Sequence, residues 1–249
     1  MPDRYRIRSG YRARRDPLYF DDDLKGITWQ PDVYADAARI AAYLGARRVI
    51  DFGSGDGDKL ASLHPRFEII GIDFGANVAR STERHPFGSW REHDFDQADT
   101  PVPVSAEELG GSVLVCSDVI EHLRSPDTLL GTLRVALERA TALVLSTPER
   151  ELWHGIRSLD PPRNPHHVRE WTIRELEQLL RATGFASFSM GLTRSNDRTD
   201  DPYTIEVVGT RDDAMLAAVV DVLIDRPTPA ARSKWTARAI RAARVLRYG

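Results

Sequence analysis

The stretch from Arg48 to Gly57, RVIDFGSGDG, constrains the fold more than any other part of the chain. A short apolar run, bounded by a residue that turns freely, reads as a strand buried on both faces. Glycines at alternate positions, Gly53, Gly55 and Gly57, then let the backbone turn sharply and approach a ligand closely. GDKLASLH reads as a helix and FEIIGID (67–73) as a second buried strand, so the turn lies inside a βαβ unit. Such a turn sits at the carboxyl edge of a parallel sheet, where open α/β folds bind ligands.

The flanking sequence extends this unit. PDVYADAARIAAYLGA, from Pro31 to Ala46, places Val33, Ala37, Ile40, Ala41 and Leu44 at helical spacing, with Gly45 as its stop. SVLVCS (112–117) and ALVLSTP (142–148) are further strand candidates, separated by a helical stretch from Pro126 to Ala140. After Pro148 the segment ERELWHGIRSLDPPRNPHH shows no sustained period and reads as a loop or lid. WTIRELEQLLRATGF returns to helical spacing, with Thr172 as N-cap, Glu175 three residues on and Gly184 as stop. FASFSMGL and PYTIEVVGT supply two last strands. Alternating strands and helices predict an α/β fold, with a mostly parallel, doubly wound sheet covered on both faces.

Composition narrows the function. With 41% apolar and 29% charged residues, and no apolar run near the roughly 20 residues that span a bilayer, the chain reads as soluble. No apolar segment follows the N-terminal arginines, so no secretory signal is expected and the cytoplasm is the default. The lone Cys116 excludes an internal disulfide framework and a zinc site of paired cysteines. Residues 1–15 hold six arginines and one acid, and residues 228–249 hold six basic residues and none, so basic ends flank an acidic body. These ends read as solvated or docked on the body, with RNA, anionic lipid or a phosphorylated substrate as other candidates. SKWTARAIRAARVLRYG, at the C-terminus, has the spacing of a basic amphipathic helix, for which a partner, the body or peripheral membrane contact are the candidate docking surfaces. The expected organisation is a basic extension over 1–30, one domain over 31–210 with a lid at 149–170, and a helical, basic extension over 211–249.

The glycine spacing is GxGxG, not the GxGxxG of dinucleotide enzymes. Asp51 and Asp56 beside it would repel a pyrophosphate but suit the ammonium of a methionine moiety. Asp73 ends the second strand 22 residues after Asp51, where an acid can accept hydrogen bonds from both ribose hydroxyls of an adenosine.

VIDFGSGDG, IIGID, REHDFD, LVCSDVIEHL and LVLSTP, in this order, resemble the five successive motifs of class I S-adenosylmethionine-dependent methyltransferases. The likeness is to the ubiquinone-biosynthesis-like, type 11 and type 23 branches, and it implies a Rossmann-like sheet of seven strands. It further implies that Gly53, Gly55 and Gly57 line the methionine and ribose and that Asp73 takes the ribose hydroxyls. Asp94 would lie near the adenine amino group, with Asp96 competing for the role, and Phe74 and Phe95 would flank the ring. Ser117, at the end of the fourth strand, joins this cofactor set.

Transfer to a hydroxyl needs a general base or a metal that acidifies the proton. Asp118, Glu121 and His122, spaced i, i+3 and i+4, share one face if they begin a helical turn. They suit Mg²⁺, Mn²⁺ or Zn²⁺, with His167 or His166 as a fourth ligand from the lid. Ubiquinone-biosynthesis O-methyltransferases carry a similar acid-x-x-Glu-His cluster, and small-RNA 3′-terminal 2′-O-methyltransferases add a later His shortly before Glu-Trp-Thr. His167-Val-Arg-Glu170-Trp171-Thr172 is similar to the second element, and Asp118 stands where the first usually has Glu. The alternatives are His122 or His167 as an unaided base, with Glu121 beside them, or a Glu-His pair that only builds the turn. Trp153, His154 and Trp171 are candidates for an acceptor pocket, or else packing residues. The expected reaction is methyl transfer to a hydroxyl of a sugar or glycosylated natural product. An RNA ribose 2′-O-methyltransferase and a non-catalytic cofactor-binding partner protein are the other readings.

Overall fold

A computed structural model describes residues 4–18, 26–97 and 100–224. Seven strands form one sheet in the order β3-β2-β1-β4-β5-β7-β6. They are β1 Arg48–Phe52, β2 Glu68–Asp73, β3 Ser89–Glu92, β4 Ser112–Ser117, β5 Ala142–Pro148, β6 Ser187–Thr193 and β7 Thr204–Thr210. β1 to β5 pair in parallel, while β7 runs antiparallel between β5 and β6. β3, the strand that the residues do not announce, is a four-residue edge strand with half-exposed side chains and no apolar run.

Because successive side chains of a strand point to opposite faces, each buried strand feeds two cores. Ile50, Phe52, Leu114, Cys116, Leu143 and Leu145 meet helices α5 (Pro126–Leu137) and α7 (Ile173–Ala182) on one face. Val49, Val113, Val115 and Val144 meet α1 (Pro31–Tyr43), α2 (Asp58–Ala61) and α8 (Asp213–Ile224) on the other. Two short helices, α3 (Ala76–Arg84) and α4 (Ala106–Leu109), border β3 and β4. Helix α1 ends three residues before the sequence pattern does, at Tyr43, and Gly45 follows at φ +65°. Helix α8 packs against α1, β6 and β7, so residues 213–224 belong to the body and not to a separate extension. The amphipathic C-terminal stretch from residue 229 lies outside the described residues.

The segment after β5 contains a short helix, α6 (Arg150–His154), and is anchored at both ends. At one end Arg150, fully buried, donates to Glu175 at 2.9 Å and to the Glu170 carbonyl at 3.0 Å, and its guanidinium lies over the Tyr11 ring. Glu175 completes a capping box with Thr172, so one carboxylate joins α6 to the start of α7. At the other end the Val168 amide donates to the Glu121 carbonyl at 2.7 Å. The basic N-terminal arm docks on the same segment. Ile7 is buried, the Arg14 amide donates to the Val168 carbonyl, and Arg8 lies 3.1 Å from Glu151.

Removing one member of a buried ion pair leaves the other charge uncompensated and costs about 3–5 kcal/mol. Arg150→Ala is therefore expected to lower the melting temperature by roughly 6–20 °C in calorimetry. A loss within experimental error would show that this pair does not hold α6 to α7.

Candidate functional site

A cavity of about 400 Å³ opens at the carboxyl edge of the sheet, above β1 and β4. The turn after β1 makes one side of it. Gly53, at φ +91°, turns the chain so that its amide and that of Ser54 reach the Ile72 carbonyl, at 2.7 and 3.1 Å. A Cβ on Gly53 would meet Val119 at 2.3 Å. Only glycine combines that conformation with that proximity. Asp73, at the end of β2, accepts from the Gly55 amide at 2.8 Å, the Phe74 amide at 2.8 Å and Asn77 Nδ2 at 3.0 Å. The carboxylate thus braces the glycine turn as well as lining the cavity, and Phe74 and Phe95 line it beside Asp73.

Three expected cofactor residues, Asp51, Gly57 and Asp94, do not line the cavity. Asp51 is fully buried beneath the turn and accepts from the Tyr34 hydroxyl at 2.6 Å. Burial pushes its carboxyl up to about 6, against the Tyr34 hydrogen bond and the charge of Lys59. Gly57 does not line the cavity; at φ +80° it makes room for Trp90, whose ring a Cβ would meet at 2.6 Å. Asp94 does not line the cavity either, because its carboxylate accepts from the Asp96 amide and Gln97 Nε2. Its competitor Asp96 accepts from the Arg124 and Ser125 amides and fixes the approach to α5.

The other side of the cavity is built on the ends of β4 and β5. Asp118 lies at φ +57° and Gln30 at φ +50°, both strained conformations for a residue with a side chain, and the two are hydrogen-bonded to each other. Gln30 also accepts from Ser117 at 3.1 Å and from Ser146, so it ties the arm before α1 to both strand ends. Ser117 is consumed in this network. Glu121 is fully buried, accepts from Thr147 at 2.9 Å and lies against the Asp118 carboxyl. Burial, then the Asp118 charge, push the Glu121 carboxyl well above the usual range.

Three histidines reach the cavity. His122 Nδ1 lies 3.1 Å from the His166 carbonyl, and burial holds this imidazole well below its usual value, in the neutral form. His167 stands edge-on to His122, with ring centroids 4.7 Å apart. Its Nδ1 is 2.6 Å from Glu170 Oε1 and its Nε2 is 2.9 Å from Asn164 Nδ2. His154 Nε2 is 2.6 Å from the other Glu170 oxygen. Burial opposes ionisation of Glu170, but these two hydrogen bonds outweigh it and bring the carboxyl down to about 2.

Among the described residues, ligand atoms of Glu121, His122 and His167 lie within 4.8 Å of one another. Asp118, expected as a further ligand, falls outside this group because Gln30 and Glu121 occupy its carboxyl. His166 turns its ring to the Leu18 carbonyl and does not line the cavity. Trp171 is not an acceptor-pocket residue: it is fully buried in the core and donates to the Tyr5 carbonyl at 3.0 Å. Trp153 and His154 do line the cavity. The sequence reading missed Gln30, Trp29 and Asn164. Gln30 and Trp29 join the site through contacts distant in sequence, whereas Asn164 joins it through His166 and His167, two and three residues on.

A parallel sheet carrying an antiparallel β7, with a glycine turn facing an acid at the end of β2, defines an α/β methyltransferase fold. Residues 26–189 match the family model described as a methyltransferase domain. A probable S-adenosylmethionine-dependent methyltransferase of Mycolicibacterium smegmatis is 32% identical over 151 residues. That match covers 59% of this chain and 55% of the relative, so the chain spans about half of the relative's length. The solved methyltransferase domain of bacterial CtHen1 shares 22% identity at a TM-score of 0.51, covering 73% of this chain and 98% of that one. The N-terminal domain of EvdMO1, solved with S-adenosylhomocysteine (SAH) and D-fucose, shares 21% at 0.51, covering 78% and 90%. The likeness to both structures is one of fold. The chain belongs to the S-adenosylmethionine-dependent methyltransferase family.

Two outcomes follow for the cofactor side. Asp73→Ala removes a charged acceptor, a change of about 1.5–3 kcal/mol, so SAH affinity should fall by roughly 10- to 150-fold in calorimetry. Unchanged affinity would remove Asp73 from the cofactor site. Asp51 has its carboxyl pKa raised in the folded state, so its contribution is present below the unfolded value of 3.8 and is lost as pH rises through about 6. Relative to Asp51→Asn, the wild type should lose on the order of 3 kcal/mol of stability between pH 4 and pH 7. Denaturant melts that keep the same difference across that range would refute it.

Proposed function

We propose that this chain transfers the methyl group of S-adenosylmethionine to a hydroxyl of a sugar or glycosylated small molecule. The observation that carries this reading is that His122 and His167 line the same cavity as Asp73, Phe74 and Phe95, with the buried Glu121 within 4.8 Å of both histidines. The sulfonium methyl is already activated, so the chain's task is to align the acceptor oxygen with the S–CH₃ bond and to remove its proton. In this reading Asp73 holds the ribose hydroxyls, Phe74 and Phe95 flank the adenine, and the β4 end faces the methyl group.

The cluster fits a divalent ion. Among the described residues no N–H or O–H donates to Glu121 Oε1, His122 is held neutral, and each imidazole is oriented through its other nitrogen. Orientation of this kind is what a metal-ligating histidine requires. Glu121, His122 and His167 would hold the ion, with Asn164 releasing His167 Nε2. When bound, a divalent ion acidifies an acceptor hydroxyl and draws together the two oxygens of a diol. EvdMO1, solved with D-fucose, makes sugars the first acceptor class to test. The fold likeness to the CtHen1 domain and to the small RNA methyltransferase HEN1 makes RNA the second.

The test is transfer of labelled methyl to a pool of glycosides and, in parallel, to a pool of RNA. Label in the glycosides alone supports the reading, label in RNA alone replaces it, and label in neither leaves a cofactor-binding protein without transfer. For the metal, EDTA, Glu121→Gln and His122→Ala should each reduce transfer at least 100-fold, the scale of a lost acid–base contribution. SAH affinity should change little. EDTA-treated protein working at the untreated rate would refute the metal.

A further inference from the structure

His154 lies outside the metal cluster, and its surroundings have no structural requirement for a second imidazole. Glu170 Oε1 and Oε2 lie 2.6 Å from His167 Nδ1 and His154 Nε2, and carboxylate oxygens accept, which assigns the facing ring N–H groups to these nitrogens. His167 carries its proton on Nδ1, and His154 carries its proton on Nε2. The lone pair of His154 therefore sits on Nδ1, which is buried and has no hydrogen-bond partner among the described residues. The neighbouring Trp153 presents the complementary defect, an indole N–H that is buried and unpartnered. Both residues line the cavity. A buried acceptor and a buried donor without partners each cost free energy, and an acceptor hydroxyl entering the cavity can satisfy such groups.

The other two histidines are poorly placed to take a proton. Both ring nitrogens of His167 are hydrogen-bonded, and His122 faces His167 in the metal cluster. We propose that His154 is the general base of the reaction, that Trp153 donates to the same acceptor oxygen, and that Glu170 is the residue positioning the base. This rests on the reading of the chain as a hydroxyl methyltransferase. The acceptor O–H bond breaks and its proton passes to His154 Nδ1. The oxygen lone pair forms the new O–CH₃ bond as the S–CH₃ bond breaks, and that bonding pair remains on sulfur, giving neutral SAH. The imidazolium so formed faces the Glu170 carboxylate, which stabilises it without taking the proton. The segment carrying this pair is the one that Arg150 anchors, so the base is held at the cavity by the same contact that holds α6.

The test has one arm that needs no acceptor. In the full chain loaded with SAH, ¹⁵N-histidine spectra should show His154 protonated on Nε2 and bare on Nδ1, and Glu170→Gln should mix its two tautomers. A His154 protonated on Nδ1, or a Glu170→Gln variant with an unmixed His154, overturns the proposal. The second arm uses whichever glycoside the wild type methylates. His154→Asn should lower kcat by about 100- to 10,000-fold while SAH and Mn²⁺ affinities stay within about twofold. Trp153→Phe should raise the acceptor KM several-fold. Wild-type kcat in His154→Asn overturns the assignment. If no glycoside is methylated, the acceptor reading has failed, and the tautomer arm still decides the role of His154.

Discussion

Everything chemical in this molecule depends on the divergence of two neighbouring strands. β1 and β4 pair along their length, but the helix after β1 packs on one face of the sheet and the helix after β4 on the other. The chain therefore leaves the two carboxyl ends in opposite directions and opens a crevice between them. The glycine turn forms one wall because only a backbone without side chains can turn that tightly against Val119. The Asp118–His122 segment forms the other. The two faces of the sheet reach the crevice as separate cores, which lets the β1 side and the β4 side carry different chemistry without sharing packing constraints.

That crevice collects charge that a core would normally exclude, and the structure offsets the cost differently on the two sides. On the β1 side two backbone amides and an asparagine donate to the Asp73 carboxylate, which braces the loop. On the opposite side Asp118 and Glu121 lie against each other, and burial raises both carboxyls, Glu121 further through the Asp118 charge. A little further out Glu170 has two imidazole partners in place of a carboxylate, and its charge survives. Burial therefore leaves the Asp118–Glu121 pair raised and Glu170 lowered, decided by what each carboxyl touches.

The glycine turn and the acid at the end of β2 were legible in the sequence because their determinants are local. The turn, the strand that precedes it and the acid that ends β2 all lie within Arg48–Asp73, and each carries a residue-type signature. The capping box of Thr172 and Glu175 was legible for the same reason. Asp51 and Asp94 show the limit: residue type suggested a ligand contact for the first and the family resemblance one for the second, yet a Tyr34 hydroxyl claims the first and the chain's own turn claims the second. Trp171 beside the candidate ligands read equally well as wall or core, and only packing against the N-terminal arm settles it as core. β3 escaped because an edge strand with half-exposed side chains need not carry an apolar run.

The acceptor side was the less legible half because its parts come from four distant stretches. Gln30 precedes the first helix, Asp118–His122 follow β4, Trp153–His154 follow β5, and Asn164–Glu170 close the lid. No periodicity links such stretches; they meet through single contacts, among them Gln30 to Asp118, Val168 to Glu121 and His154 to Glu170. Each of these contacts is polar and buried, so each has to be satisfied if the segment is to stay down. The lid is accordingly held by the same groups that carry the proposed chemistry. A substitution at Glu170 would disturb lid and histidines together, whereas His154, at the end of that chain of contacts, can be changed while leaving Glu121, His122 and His167 in place. That separability makes the acceptor side open to dissection residue by residue.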